Sequence, residues 1–157
     1  MSVVGSVTQN QHLAVEGVQG VVERFMTLYQ MLNKDNLHLL SLVYDENIIF
    51  QDPMHKVVGL EALTQYFSRL YQNVSHIRFD IQHVSQSVDE AALYWVMEYT
   101  HPKLNHGRMI SVDGMTRLTF SHRVTLHRDY FDVGQMLYEH VPLMGYGIQL
   151  LKQRAAK

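Results

Sequence analysis

The chain has 157 residues, a length suited to a single domain that buries roughly 70% of the surface its unfolded chain exposes. Thirteen Lys and Arg against fifteen Asp and Glu leave a formal net charge of -2, which offers no basic field for a nucleic-acid backbone and no polybasic patch for anionic lipid. Nucleic acid and membrane are therefore not expected as partners, and with no Cys, no apolar run near the ~20 residues that span a bilayer and no basic residue before Arg24 to open a secretory signal, a cytoplasmic address is expected.

Residues 1–13 read as a frayed, flexible leader, 14–140 as the domain and 141–157 as a helical tail packed on the domain or on a partner subunit. Val18, Val21, Val22, Phe25, Leu28, Tyr29 and Leu32 recur at helical spacing and predict one amphipathic helix ending near Asn33 to Asp35. A short second helix is expected within Asn36 to Tyr44. Asn47 to Asp52 predicts a strand with Ile48, Phe50 and Asp52 on one face, stopped by Pro53. Gly59 opens a third helix whose buried stripe is Leu60, Leu63, Phe67 and Leu70.

After Asn73 the apolar period changes from 3.6 to 2. Ile77, Phe79, Ile81 and His83 mark one strand, followed by Ala91 to Tyr99, Met109 to Phe120 and Val124 to Phe131, with short polar breaks that suit antiparallel hairpins. Helices first and a meander afterwards predict an α+β fold with helices on one face of a curved sheet. In the tail, Gly145 and Gly147 weaken a helix, while Ile148, Leu150, Leu151 and Lys152 support one after them.

The richest stretch is His127-Arg128-Asp129-Tyr130-Phe131-Asp132. On a strand, alternate side chains share a face, so His127, Asp129 and Phe131 point one way and Arg128, Tyr130 and Asp132 the other. An acid beside an imidazole on an apolar wall is a candidate proton-transfer site, or equally a buried pair that does no chemistry. Arg128 and Tyr130 belong on this reading to an interface, or Arg128 to an ion pair with Asp132.

The order of helix, helix, a strand ending Phe50-Gln51-Asp52-Pro53, a Gly59-led helix and strands closing in the His127 to Asp132 stretch resembles the SnoaL-like branch of the nuclear transport factor 2-like superfamily. The resemblance covers about Gly17 to Gln135. It implies a cone: a curved, antiparallel to mixed sheet wrapped around three N-terminal helices, with an internal apolar pocket. Members include ketosteroid isomerases, polyketide cyclases, limonene epoxide hydrolases and noncatalytic binding or assembly modules.

Asp52 resembles the proton-shuttling carboxylate of the isomerases, yet Phe25 stands where their oxyanion-donating Tyr would be and Thr116 where their second acid would be. Asp129 resembles the acid/base carboxylate of the cyclases and the water-activating one of the hydrolases. The strand Tyr94-Trp95-Val96-Met97-Glu98 lacks the Arg that epoxide opening requires. Asp129, Asp52 and His127 are thus the candidate catalytic residues. Phe25, Tyr29, Phe50, His55 and Phe67 are candidate substrate contacts, as are Trp95, Met97, Met115 and Thr116.

Ten His do not form a metal motif: there is no His-Glu-x-x-His, and His101 and His106 fall across a turn, so no metal is expected. No phosphate loop or nucleotide fingerprint occurs, and no cofactor is expected. Ala91 to Tyr99 is apolar on both faces, which predicts helices on one face and a second subunit, in a homodimer, on the other. Two functions stay open: an acid/base enzyme of isomerase, cyclase or hydrolase type acting on a hydrophobic carbonyl compound, or a noncatalytic ligand-binding or dimerisation module.

Overall fold

The computed structural model describes residues 3–17, 19–141 and 143–156. Helix α1 (Val3–Glu16) leads into α2 (Val21–Met31), a 3-10 turn at Leu37–Leu39 and α3 (Leu40–Val43). Strands β1 (Tyr44–Gln51) and β2 (Lys56–Val58) precede α4 (Leu60–Gln72). Four long strands follow: β3 (His76–Gln86), β4 (Glu90–Thr100), β5 (Ile110–Phe120) and β6 (Val124–Phe131), then α5 (Val133–Met136) and α6 (Met144–Ala155).

Residues 3–13 of the expected leader are helical within α1, and Val15, just beyond them in the same helix, is fully buried in the core. An apolar residue that finds a core position holds its helix in place. Val18, expected to open the next helix, lies outside the described residues. Helix α2 ends at Met31 rather than Asn33 to Asp35, because the buried Asn36 turns the chain there. Its side chain accepts from the Asn33 N–H at 2.7 Å and donates to the Met31 carbonyl at 2.8 Å.

The six strands form one mixed, unclosed sheet in the order β2-β1-β6-β5-β4-β3. Every neighbouring pair is antiparallel except β1 and β6, which run parallel. The architecture is the expected α+β cone, its curved sheet wrapped against helices. Strand β2, three residues pairing with β1, is absent from the sequence reading, being too short to show a period. Gly59, at φ 94°, makes the turn between β2 and α4 in a conformation that L side chains rarely adopt. The buried stripe of α4 is Leu63, Tyr66 and Phe67, whereas Leu70 is 40% exposed and Leu60 only partly buried.

A register shift in β3 between Ile81 and His83 overturns one alternation. Ile77, Phe79 and Ile81 face the helices, but the bulge moves His83 to the outer face, opposite Tyr94. Asp132 does not pair with Arg128. It caps α5, accepting from the Gly134 and Gln135 N–H groups at 2.7 and 3.2 Å, and Arg128 instead stacks 4.9 Å above the Tyr130 ring. Helix α6 takes in both Gly145 and Gly147, beginning earlier than the glycines suggest. No described helix is long and apolar enough to cross a membrane.

Candidate functional site

Strand β6 lies between β1 and β5. His127 is in register with Phe50 of β1 and Asp129 with Thr116 of β5. The inward face of β6 is His127, Asp129 and Phe131, as alternation requires. His127 is 1% exposed and the Asp129 side chain 17%.

Hydrogen bonds converge on one oxygen of Asp129. Thr116 Oγ1 donates to Oδ1 at 2.5 Å, and His127 Nε2 lies 2.8 Å from the same atom. Trp95 Nε1 donates to Thr116 Oγ1 at 2.8 Å, so the indole orients the hydroxyl that orients the acid. A carboxylate only accepts, which places the ring hydrogen of His127 on Nε2. In the neutral ring Nδ1 then accepts from Tyr44 Oη, 2.7 Å away, leaving the Tyr44 oxygen to accept from Tyr29 Oη, also at 2.7 Å. A chain of donors therefore runs Tyr29, Tyr44, His127, Asp129. Burial, the largest cause, pushes the Tyr29 and Tyr44 hydroxyls well above the usual phenol range, so both remain donors. No partner for Asp129 Oδ2 is found among the described residues.

The acid opens into a cavity of about 350 Å³ whose wall is overwhelmingly apolar. Phe25, Tyr29, Phe50 and Phe67 reach it from the helices and β1. Trp95, Met97, Thr116, His127 and Asp129 reach it from the sheet, and Asp52 from the end of β1. Gly114, in register with Trp95, has no side chain to lift the indole off the sheet. A Cβ there would stand 2.1 Å from the ring.

Two expected contacts lie elsewhere. Thr116 faces inward, so Met115 faces outward beside Tyr94 and Tyr130, its register partners; neighbours on a strand cannot line the same pocket. His55 is not part of the wall. Its side chain is 51% exposed, because Asp52 folds the turn after β1 around itself: Oδ1 accepts from the Met54 and His55 N–H groups at 2.7 and 2.6 Å, and Oδ2 accepts from Tyr66 Oη. Every oxygen of Asp52 is thus engaged, as in a turn-closing acid. The Tyr66 hydroxyl is pushed far up, first by burial and then by its bond to Asp52.

Several site residues escaped the sequence reading. Tyr44, expected at the end of a short helix, opens β1 instead. Tyr71 is four residues beyond Phe67, a helical spacing that was available as a signal. It lines the cavity, no partner for its hydroxyl is found among the described residues, and burial raises its pKa. Phe79, His101, Phe131 and Met136 also line it, and Tyr99 Oη, raised by burial to about 12, donates to the Met136 carbonyl. Among the described residues, no group of three or more His, Asp or Glu is disposed to hold a metal ion.

The chain is similar to several solved structures. A candidate SnoaL-like polyketide cyclase from Jannaschia sp. CCS1 is 13% identical at a TM-score of 0.69, over 78% of this chain and 92% of that one. A hypothetical protein with a ketosteroid isomerase-like fold from Catenulispora acidiphila DSM 44928, in complex with trimethylamine, is 14% identical at 0.67, over 78% and 93%. An LEH-like epoxide hydrolase from M. tuberculosis is 16% identical at 0.60, over 78% and 87%. At these identities the likeness shows the fold alone. No curated protein matches significantly. The SnoaL-like domain family matches residues 22–127, from the first turn of α2 to the histidine of β6, and the chain belongs to that family.

Proposed function

We propose that this protein binds a hydrophobic, carbonyl-containing small molecule in the cavity, and that Asp129, positioned by His127 and Thr116, transfers a proton on it. The observation that carries the reading is the division of labour between the two oxygens of Asp129. Oδ1 accepts from Thr116 and His127, while Oδ2 is left to act in an apolar cavity. A fixed base of this kind suits removal of a proton from the carbon next to a carbonyl and its return to the same substrate. Tyr71 is the wall hydroxyl free to donate to the carbonyl oxygen, and its raised pKa keeps its proton in place.

Epoxide opening is less well supported, because the lining holds no Arg or Lys to assist the leaving oxygen. A noncatalytic binding module is the second reading, favoured by Asp52, a family-type carboxylate wholly used in shaping a turn. The row Tyr94, Met115 and Tyr130 across the outer face supports a homodimer built on that face, and the cysteine-free composition supports a cytoplasmic address.

The test is hydrogen exchange in D2O. Incubation with 2-indanone and 1-phenyl-2-propanone, followed by proton NMR, is expected to show enzyme-dependent loss of the signals next to the carbonyl, abolished in Asp129→Asn. Equal rates in the two proteins would leave the binding-module reading.

A further inference from the structure

Resting on the reading of the cavity as a small-molecule site, we infer that its ligand carries a positive charge: an ammonium group on an apolar body.

The charges of the wall point one way. Asp52 and Asp129 both line it, beside the imidazoles of His101 and His127, and no Lys or Arg does. Asp52 is matched by two backbone N–H groups and Tyr66. Asp129 keeps an oxygen without a partner among the described residues. An anionic ligand would meet two carboxylates where water is scarce and charges are poorly screened. A cation would instead supply the countercharge that this acid lacks.

The rings point the same way. Phe131 follows Asp129 on the inward face of β6 and lies 6.3 Å from Trp95, its plane tilted 54°. Phe79 stands edge-on to Trp95 at 5.6 Å, and Tyr29 edge-on to Phe79 at 5.6 Å. Rings set at steep angles around one space form a box whose π faces and edges turn in different directions, and such faces attract ammonium groups.

The hydrogen-bond inventory completes the case. Apart from the Tyr71 hydroxyl, which the proposed proton transfer uses on the carbonyl, donors on the wall are largely spent inside the protein: Trp95 on Thr116, Thr116 on Asp129, Tyr66 on Asp52 and Tyr99 on Met136. A polar neutral or anionic ligand needs donors from its site, whereas an ammonium needs acceptors and π surface, which the wall retains. In the proposed proton transfer, a cationic nitrogen near the carbonyl would also stabilise the enolate formed when the proton leaves.

Trp95 is the sole tryptophan, so its emission reports on this wall alone. Three probes of similar body separate the possibilities: phenyltrimethylammonium, its neutral isostere tert-butylbenzene, and phenylacetate. Phenyltrimethylammonium is expected to shift Trp95 emission saturably with a Kd at least about tenfold below that of tert-butylbenzene, and phenylacetate to give no saturable change. Asp129→Asn should erase most of the cation's advantage. Should that variant not fold, Phe79→Leu should weaken the cation and spare tert-butylbenzene, since leucine keeps the apolar bulk and loses the π face. Equal binding of cation and isostere would overturn the ammonium assignment and leave the pocket reading standing. No binding by any probe would overturn both.

Discussion

Gly114 lies directly beneath the indole of Trp95, and a methyl group at that position would stand 2.1 Å from the ring. The contact lets the indole lie flat and place Nε1 on Thr116, two residues further along β5. Gly114→Ala is expected to lift the indole, break that bond and cost about 1–3 kcal/mol of stability, the usual range for overpacking. Thermal unfolding should show the loss, and a change in Trp95 emission should accompany it. A variant with unaltered emission would mean that the ring has room to move aside.

Tyr29 and Tyr44 predict a non-additive pair. Tyr44→Phe leaves the buried Nδ1 of His127 without its donor and should cost about 1–3 kcal/mol. Tyr29→Phe removes only the donor to Tyr44 and should cost less. Once Tyr44 is gone, the loss of Tyr29's hydroxyl removes a group with no remaining partner, so the double variant should cost less than the sum. Urea unfolding of the four proteins checks this, and strict additivity would contradict the chain of donors.

The two carboxylates should respond oppositely. Asp52→Ala strips a turn of an acceptor serving two backbone N–H groups and Tyr66, so it should lower stability by about 1–3 kcal/mol. The variant should keep proton exchange once folded. Asp129→Asn keeps the shape and an acceptor for His127, and should fold while losing exchange. Unfolding curves and exchange rates on the same samples distinguish the outcomes.

Alkaline pH should destabilise the protein before its buried tyrosines ionise. The Tyr99 hydroxyl is raised from 10.0 to about 12 by burial, and Tyr29, Tyr44 and Tyr66 are also raised, burial being the first cause. Below pH 10 the phenols are protonated in both folded and unfolded chains, and their full contribution is present. Above pH 10 the unfolded chain releases protons that the folded one holds, so stability falls with rising pH, for Tyr99 until about pH 12. Denaturant midpoints from pH 8 to 11 should decline above 10. A flat profile would mean that these hydroxyls ionise as freely folded as unfolded.

Much of the fold was legible because period 2 is a strong signal over long strands: β6 lies where alternation puts it, and β4 and β5 differ by one residue at their ends. The inward set of His127, Asp129 and Phe131 followed from the same rule. Three features could not be read that way. The bulge after Ile81 breaks the alternation without a Gly or Pro to mark it, which displaced His83. Strand β2 is shorter than any period. Tyr44 reaches His127 across 83 residues of sequence, a relation no local pattern carries. The error at Met115 was different in kind, since Thr116 beside it had already claimed the inward face.

The parallel seam between β1 and β6 also bears on how the protein comes to exist. The donor chain behind the acid joins opposite ends of the domain, Tyr29 and Tyr44 to His127, and the last strand must enter between the first and the fifth. Until it does, Tyr44 has no imidazole to bind and β1 keeps a bare edge. Closing so long a loop makes this a late and slow event in folding. Any chemistry at Asp129 is therefore withheld until the sheet is finished, and a chain cut short before residue 124 would display a sticky strand edge in place of a site.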